Sequence, residues 1–570
     1  MLLALGLPGC YGGLGGSDGA GGDGAGDASG GSDEGGSGGD DGGDDGVEAA
    51  CDPSVPPRAS LLRMSRTNYV HALESIFGAA AVAAIRPTVD TLPVAKAGVF
   101  ATEVPPVGFT EVSAYFKIAD ALAQELTKDD VALAALDACL PSVPAGADAS
   151  SDACLVGFVD ALGPKVLRRP LTADDRTRLA ADYAVGGGES VGEGVATLLL
   201  ALLIDPAFLY FVETQGDELS PGIAALTDHE LAARLARVLW DDVPDDELLA
   251  AADAGLDDDA LAVQVDRMLA DGRARTAFER FTADWLALDV MPEPSPVLFP
   301  DAAARAALRD DMRAELLAFA STVAFDQHGG YAELLLDRTT TIGTPELAQI
   351  YGVEPGANTL PDDRAGLLSR AGWLATPQVI RSDAGHIIKR GRRLGEFLCR
   401  PVPPPDPGNF PTEDPADPAN NPEQGIRERF QTAAAEPQCA GCHKLLDAYG
   451  APFGHYGAAG QWIDVETVDV DGTPVGIAID TASTITLDDD IAVADPVALS
   501  EAIAASDVGP QCLADQLTRN LVAHPPDDGD ACLRAAAREA LAPADGAPQS
   551  LRDAIVRLVS SDHFRQVSLP

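Results

Sequence analysis

The chain has 570 residues, with 39 Lys and Arg against 89 Asp and Glu, a formal net charge of −50 and a pI near 4.2. This balance excludes nucleic acid and anionic lipid headgroups as principal partners, because phosphate contacts need clustered cations. A hydrophobic content of 46% excludes a fully disordered or fibrous chain, no apolar run reaches the ~18 residues of a membrane span, and the length corresponds to about three or four domains.

The N-terminal segment is compositionally distinct. Residues 11–50 hold 18 of the 57 glycines and 10 acidic residues, with no Lys or Arg. Such a segment buries too little apolar surface to offset its ordering entropy, so residues 11–57 are expected to form a disordered, acidic, Gly-rich tether. Ahead of it, Leu7-Pro8-Gly9-Cys10 resembles a bacterial lipobox. Residues 1–10 are then a lipoprotein signal, Cys10 is the lipidation site, and the anchor is the chain's sole membrane contact. The expected location is extracytoplasmic, on the cell envelope.

Cysteine usage fits an oxidising compartment. Nine cysteines are present. Setting aside Cys10 and the Cys439/Cys442 pair treated below leaves six, an even number suited to three disulfides. Proximity in sequence favours Cys139–Cys154 and Cys512–Cys532, and elimination leaves Cys51–Cys399. The alternative is that several are free, buried thiols.

Most of the body reads as helix. Thr172, followed by Asp174 and Asp175, opens one helix. Gly186-Gly187-Gly188 has the glycine content of a phosphate loop but follows a helix, so a helix–helix turn is expected. Thr227 and Glu230 have capping-box spacing. Leu231, Leu235, Val238 and Leu239 then form an amphipathic stripe that should end near Asp241. A further helix should begin at Pro244, with Asp245, Asp246 and Glu247 in its first turn. Stretches 114–138, 194–213, 260–290 and 301–325 are helical by periodicity. Residues 401–424 carry nine prolines and read as an extended strap. The best strand candidates lie in 463–487, where Val465, Val468, Val470, Val475, Ile477 and Ile479 alternate with polar residues. Asp469, Asp471 and Gly472 resemble part of a calcium loop without its distal Glu, and a hairpin turn is expected there. His71, His229, His328, His386, His524 and His563 have no partners at motif spacing and read as structural.

The segment that carries chemistry is Cys439-Ala440-Gly441-Cys442-His443. This CxxCH spacing is the attachment signature of c-type haem. Residues three apart share one helical face, so both thiols can add to the two vinyl groups of one porphyrin. His443, next on that face, is the proximal iron ligand. A zinc site would need a second CxxC or HxxxH, and the sequence has neither. All five methionines precede the motif, so His455 is the nearest candidate sixth ligand. The alternative is a five-coordinate iron with His455 at the surface or behind the first ligands. The expected cofactor is covalent haem c, held by Cys439, Cys442 and His443, with His443 and His455 as the metal-ligand candidates.

Motifs elsewhere carry a family resemblance. Leu61 to Tyr69, Arg168-Arg169-Pro170-Leu171-Thr172, Asp205 to Tyr210, Leu226 to Trp240, Pro244 to Leu248, Met268 to Asp271 and Trp285-Leu286 accompany Arg390-Gly391, the proline strap, the CxxCH, Asp447 and the segment Gly454 to Trp462. Together they resemble the large exported planctomycete-type cytochrome c proteins, also abundant in myxobacteria, which carry several domains of unknown function in series. Two positions depart from that pattern. Ala448 stands where a proline is usual after Asp447, and Gly457 stands where the family often has Asp.

The resemblance implies a mainly α protein, with several helical modules in series and a small cytochrome c-like module carrying minor β structure. The boundaries expected are helical modules at 58–138, 139–215 and 224–352, the cytochrome c-like module at 363–487, and a C-terminal helical module at 490–566. The expected function is extracytoplasmic electron transfer or redox chemistry, with a basic redox partner protein drawn to the acidic surface. The competing readings are a cell-surface binding or structural protein without haem, and a haem peroxidase or oxygenase.

Overall fold

The computed structural model describes residues 50–569 other than 53, 59–60, 94–99, 101–107, 214–215, 297, 377–383, 403–423, 471–472 and 543–549. Cys10, the tether up to residue 49, most of the proline strap and the Asp471-Gly472 turn lie outside these residues. The described chain is mainly α, with 24 helices and four small antiparallel sheets. None of these helices is long and apolar enough to cross a membrane.

Side-chain caps set where the helices begin. Thr172 and Thr227 close capping boxes with Asp175 and Glu230, and the second of these helices ends at Asp241 in the left-handed region. The helix expected from Pro244 starts later. Asp245 is its N-cap, accepting from the Leu248 amide at 2.9 Å, and the helix runs Asp246–Ala254. Two long periodic stretches are broken for the same reason. Asp129 caps Asp130–Leu136 after Phe109–Thr127, and Asp271 caps Gly272–Trp285 after Asp258–Ala270. An Asp that can bond the amides ahead of it competes with helix continuation.

Two large apolar cores result. The N-terminal one is built on Leu73, Ile118, Leu122, Leu155, Val195 and Leu199. It is closed by the pairing of Leu62–Arg63 with Tyr210–Phe211. The larger core gathers Leu235, Met268, Phe281, Leu316, Trp373, Leu394 and Phe453 with Leu513, Leu533 and Leu558 from the chain's end. The C-terminal helices therefore share a core with the helices that begin at Asp228. A strand at Gln566–Ser568 fastens them there by pairing with Ile223–Ala225.

The disulfides correct two expectations. Cys139–Cys154 forms as expected, but the other bonds are Cys51–Cys532 and Cys399–Cys512, not Cys512–Cys532 and Cys51–Cys399. Cys512 lies in the early part of helix Val508–Val522, and the stretch from Cys512 to Val522 is about 15 Å long. That separates it from the Cys532 helix, which follows the far end. Cys512 instead meets Cys399, just beyond helix Ala384–Phe397. The N-terminal strap runs along the C-terminal elements, where the Ser568 amide donates to the Pro57 carbonyl at 2.7 Å, and this brings Cys51 to Cys532.

Two hairpins complete the CxxCH region, Val465–Val470 with Thr473–Ala478 and Ser483–Thr486 with Asp490–Val493. The first falls where alternation indicated strands, yet Val465 and Val475 are exposed and Glu466 is buried. Arg429, itself buried, donates to Glu466 at 2.7 Å, so an ion pair sets the inward face.

Candidate functional site

The CxxCH motif lies on helix Pro437–Gly450, with Pro437 in the first turn. Cys439, Cys442 and His443 share one face of that helix, and Asp447 continues it one turn on. Two glycines let this helix cross helix Ala384–Phe397 at backbone contact. A Cβ on Gly391 would collide with the Leu446 carbonyl, and one on Gly450 with the Ile387 carbonyl. Helix Ile426–Ala435 packs on the remaining side and sets the Phe430 ring 5.9 Å from that of His443.

Neither Cys439 nor Cys442 is in a disulfide, and both are partly buried. His443 Nδ1 lies 3.4 Å from Asp447 Oδ1. Both atoms are sealed from solvent, and neither makes a hydrogen bond. Burial pushes the Asp447 carboxyl above the usual carboxylate range, against a lowering pull from His443. With Nδ1 facing a carboxylate, Nε2 is the imidazole atom left for a metal.

His455 belongs to a different cluster. Its ring stacks on Trp462 at 4.5 Å, and its Nδ1 donates to the Ile463 carbonyl at 2.8 Å. The structure thus brings Cys439, Cys442 and His443 together, while His455 closes the turn that follows. Other histidines have local roles: His71 bonds the Asp241 carbonyl at 3.0 Å and His229 meets Asp253 at 3.0 Å. Gly186 and Gly187 end helix Ala173–Gly187, and Gly188 caps it at the turn to helix Val191–Leu203.

Three family comparisons match in series. Residues 154–213 match PSD5, a protein of unknown function (DUF1595), and residues 226–353 match PSD4, a protein of unknown function (DUF1592). Residues 364–466, which include the CxxCH helix, match PSCyt3, a protein of unknown function (DUF1588). Found in series, these three match the domains of planctomycete-type multidomain cytochrome c proteins. No curated protein and no solved structure matches it.

The segment that follows the CxxCH helix is held by two buried arginines, of which sequence reasoning marked only Arg390, as part of a motif and without a role. Arg390 is fully buried and donates to the carbonyls of Leu374, Phe453, Tyr456 and Gly457. Burial lowers its pKa to about 9, so it stays charged at neutral pH. Arg364, also fully buried, donates to the Gly460 carbonyl at 2.7 Å and lies over the Tyr456 ring. The two guanidiniums fix the segment that carries His455. Carbonyl-solvated arginines leave no charge-pair signature in sequence. The only hint is the Arg390-Gly391 dipeptide, whose glycine lies at the helix crossing.

Proposed function

We propose that this chain is an exported, lipid-anchored c-type cytochrome that moves electrons outside the cytoplasm. The observation that carries the reading is the helical face on which two thiols outside any disulfide precede an imidazole whose Nδ1 faces a carboxylate at 3.4 Å. That donor set fits covalent haem. Each Cys S–H would add across one vinyl C=C, sulfur to one carbon and hydrogen to the other, with no oxidant and no leaving group. His443 would offer Nε2 to the iron. When bound, haem c supplies a one-electron Fe(III)/Fe(II) couple.

The protein's own residues do the rest. The glycine crossing with helix Ala384–Phe397 holds the CxxCH helix, and Phe430 flanks the imidazole. Three disulfides support an oxidising compartment. A lipid on Cys10 and the acidic tether would hold the folded body off the membrane. The net charge of −50 supports a basic redox partner whose docking weakens with salt.

The test is expression of the full chain with a cytochrome maturation system, followed by covalent haem staining after denaturing electrophoresis. The parent should stain and a Cys439→Ala, Cys442→Ala variant should not. An unstained parent would favour a haem-free surface protein.

A further inference from the structure

Asp447 is poorly placed for a structural residue. It sits in the last turn of helix Pro437–Gly450, where the helix dipole disfavours an anion. It is also largely buried, which adds to the cost of its charge. Arg427, whose charge acts on it, is engaged with Asp480 at 3.2 Å. What Asp447 does face is His443 Nδ1, at 3.4 Å, with both atoms sealed from water and neither yet in a hydrogen bond. The Phe430 ring lies 5.9 Å from the same imidazole.

We propose that Asp447 is a positioning residue for the iron ligand. Its carboxylate takes the Nδ1–H of His443, fixes the tautomer that presents Nε2, and holds negative charge against the ring. A second group of this kind orients a metal-bound histidine and raises its basicity. More negative charge near the iron stabilises the ferric state and lowers the reduction potential. The i,i+4 spacing is what makes this possible within one helix. The inference rests on the haem reading above and adds the direction in which the chain tunes that group.

The experiment compares the matured full chain with Asp447→Asn and Asp447→Ala by haem stain, potentiometric titration and thermal unfolding. All three should stain. Both variants should titrate at a higher potential, by a tenfold shift of the couple or more, about 59 mV for one electron. Asp447→Ala should melt at or above the parent, because it removes a buried anion from the helix end. Stained variants with the parent's potential would overturn the proposal and leave the haem reading standing. Loss of folding in Asp447→Ala would also overturn it, by showing the carboxylate to be structural. An unstained parent would overturn both.

Discussion

The buried guanidinium of Arg390 donates to the carbonyl of Tyr456, 66 residues further along the chain. The same side chain reaches Leu374, Phe453 and Gly457, so one cation ties helix Ala384–Phe397 to the turn that carries His455. No carboxylate among the described residues bonds to it. Carbonyl dipoles alone solvate the charge, and they need all the donors of a planar fork.

Replacing Arg390 by Met should therefore be costly. The stem would still fill space, but four carbonyls would lose a donor. Each buried acceptor left unmet costs roughly 1–3 kcal/mol, so a loss of at least about 3 kcal/mol is expected. Lysine should not rescue it, because a point charge cannot reach the carbonyls of Leu374 and Gly457 together. Thermal or urea unfolding of both variants checks this, and parent-like stability in Arg390→Lys would refute it.

Glycines on the two crossing helices give a sharper contrast. Gly391→Ala and Gly450→Ala each drive a methyl into the partner helix's backbone. Overpacking of this kind costs about 1–3 kcal/mol and should displace the CxxCH helix. Gly441, between the two cysteines, has open space around its Cα. Gly441→Ala should be neutral or stabilising by up to about 1 kcal/mol. Melting temperatures together with haem stain would test the set. Equal behaviour of Gly391→Ala and Gly441→Ala would contradict the crossing geometry.

These residues also show where the sequence was readable. Capping chemistry is local, so Thr172 and Thr227 announced their helices and were observed as caps. The CxxCH face follows from helical spacing alone. Long-range partners left no such trace. Cys512 and Cys532 are near in sequence but separated by a helix, and pairing by proximity failed for them. Val465 and Val475 alternate like buried strand residues, yet the Arg429–Glu466 pair took the inward face. The cost of burying that pair depends on surroundings that no local pattern encodes.

The disulfide exchange is directly checkable. Peptide mapping of the unreduced protein should recover Cys51 linked to Cys532 and Cys399 linked to Cys512. Recovery of a Cys512–Cys532 peptide would contradict the fold. The Cys51–Cys532 bond spans 481 residues of sequence and Cys139–Cys154 spans 15. In the chain-entropy account a 15-residue loop is worth about 3 kcal/mol and longer loops more. Removing Cys51 and Cys532 should therefore lower stability at least as much as removing Cys139 and Cys154.

Acid should weaken the second helical segment through Asp175. Arg169 donates to its carboxylate at 2.7 Å, and Thr172 donates through both its hydroxyl and its amide. Arg169 first, then the Thr172 bonds, hold the carboxyl well below the usual carboxylate range against a raising effect of burial. The folded state thus binds this proton more weakly than the unfolded chain does. The stabilisation is complete above the ordinary value of 3.8 and is lost as the pH falls from there toward the lowered folded value. Asp175→Asn should cost about 1 kcal/mol near neutrality, the scale of a lost cap. The melting temperatures of parent and variant, measured from pH 7 downward, should keep their offset to pH ~4 and begin to converge below it. A constant offset across that range would show that the Asp175 charge contributes nothing to the cap.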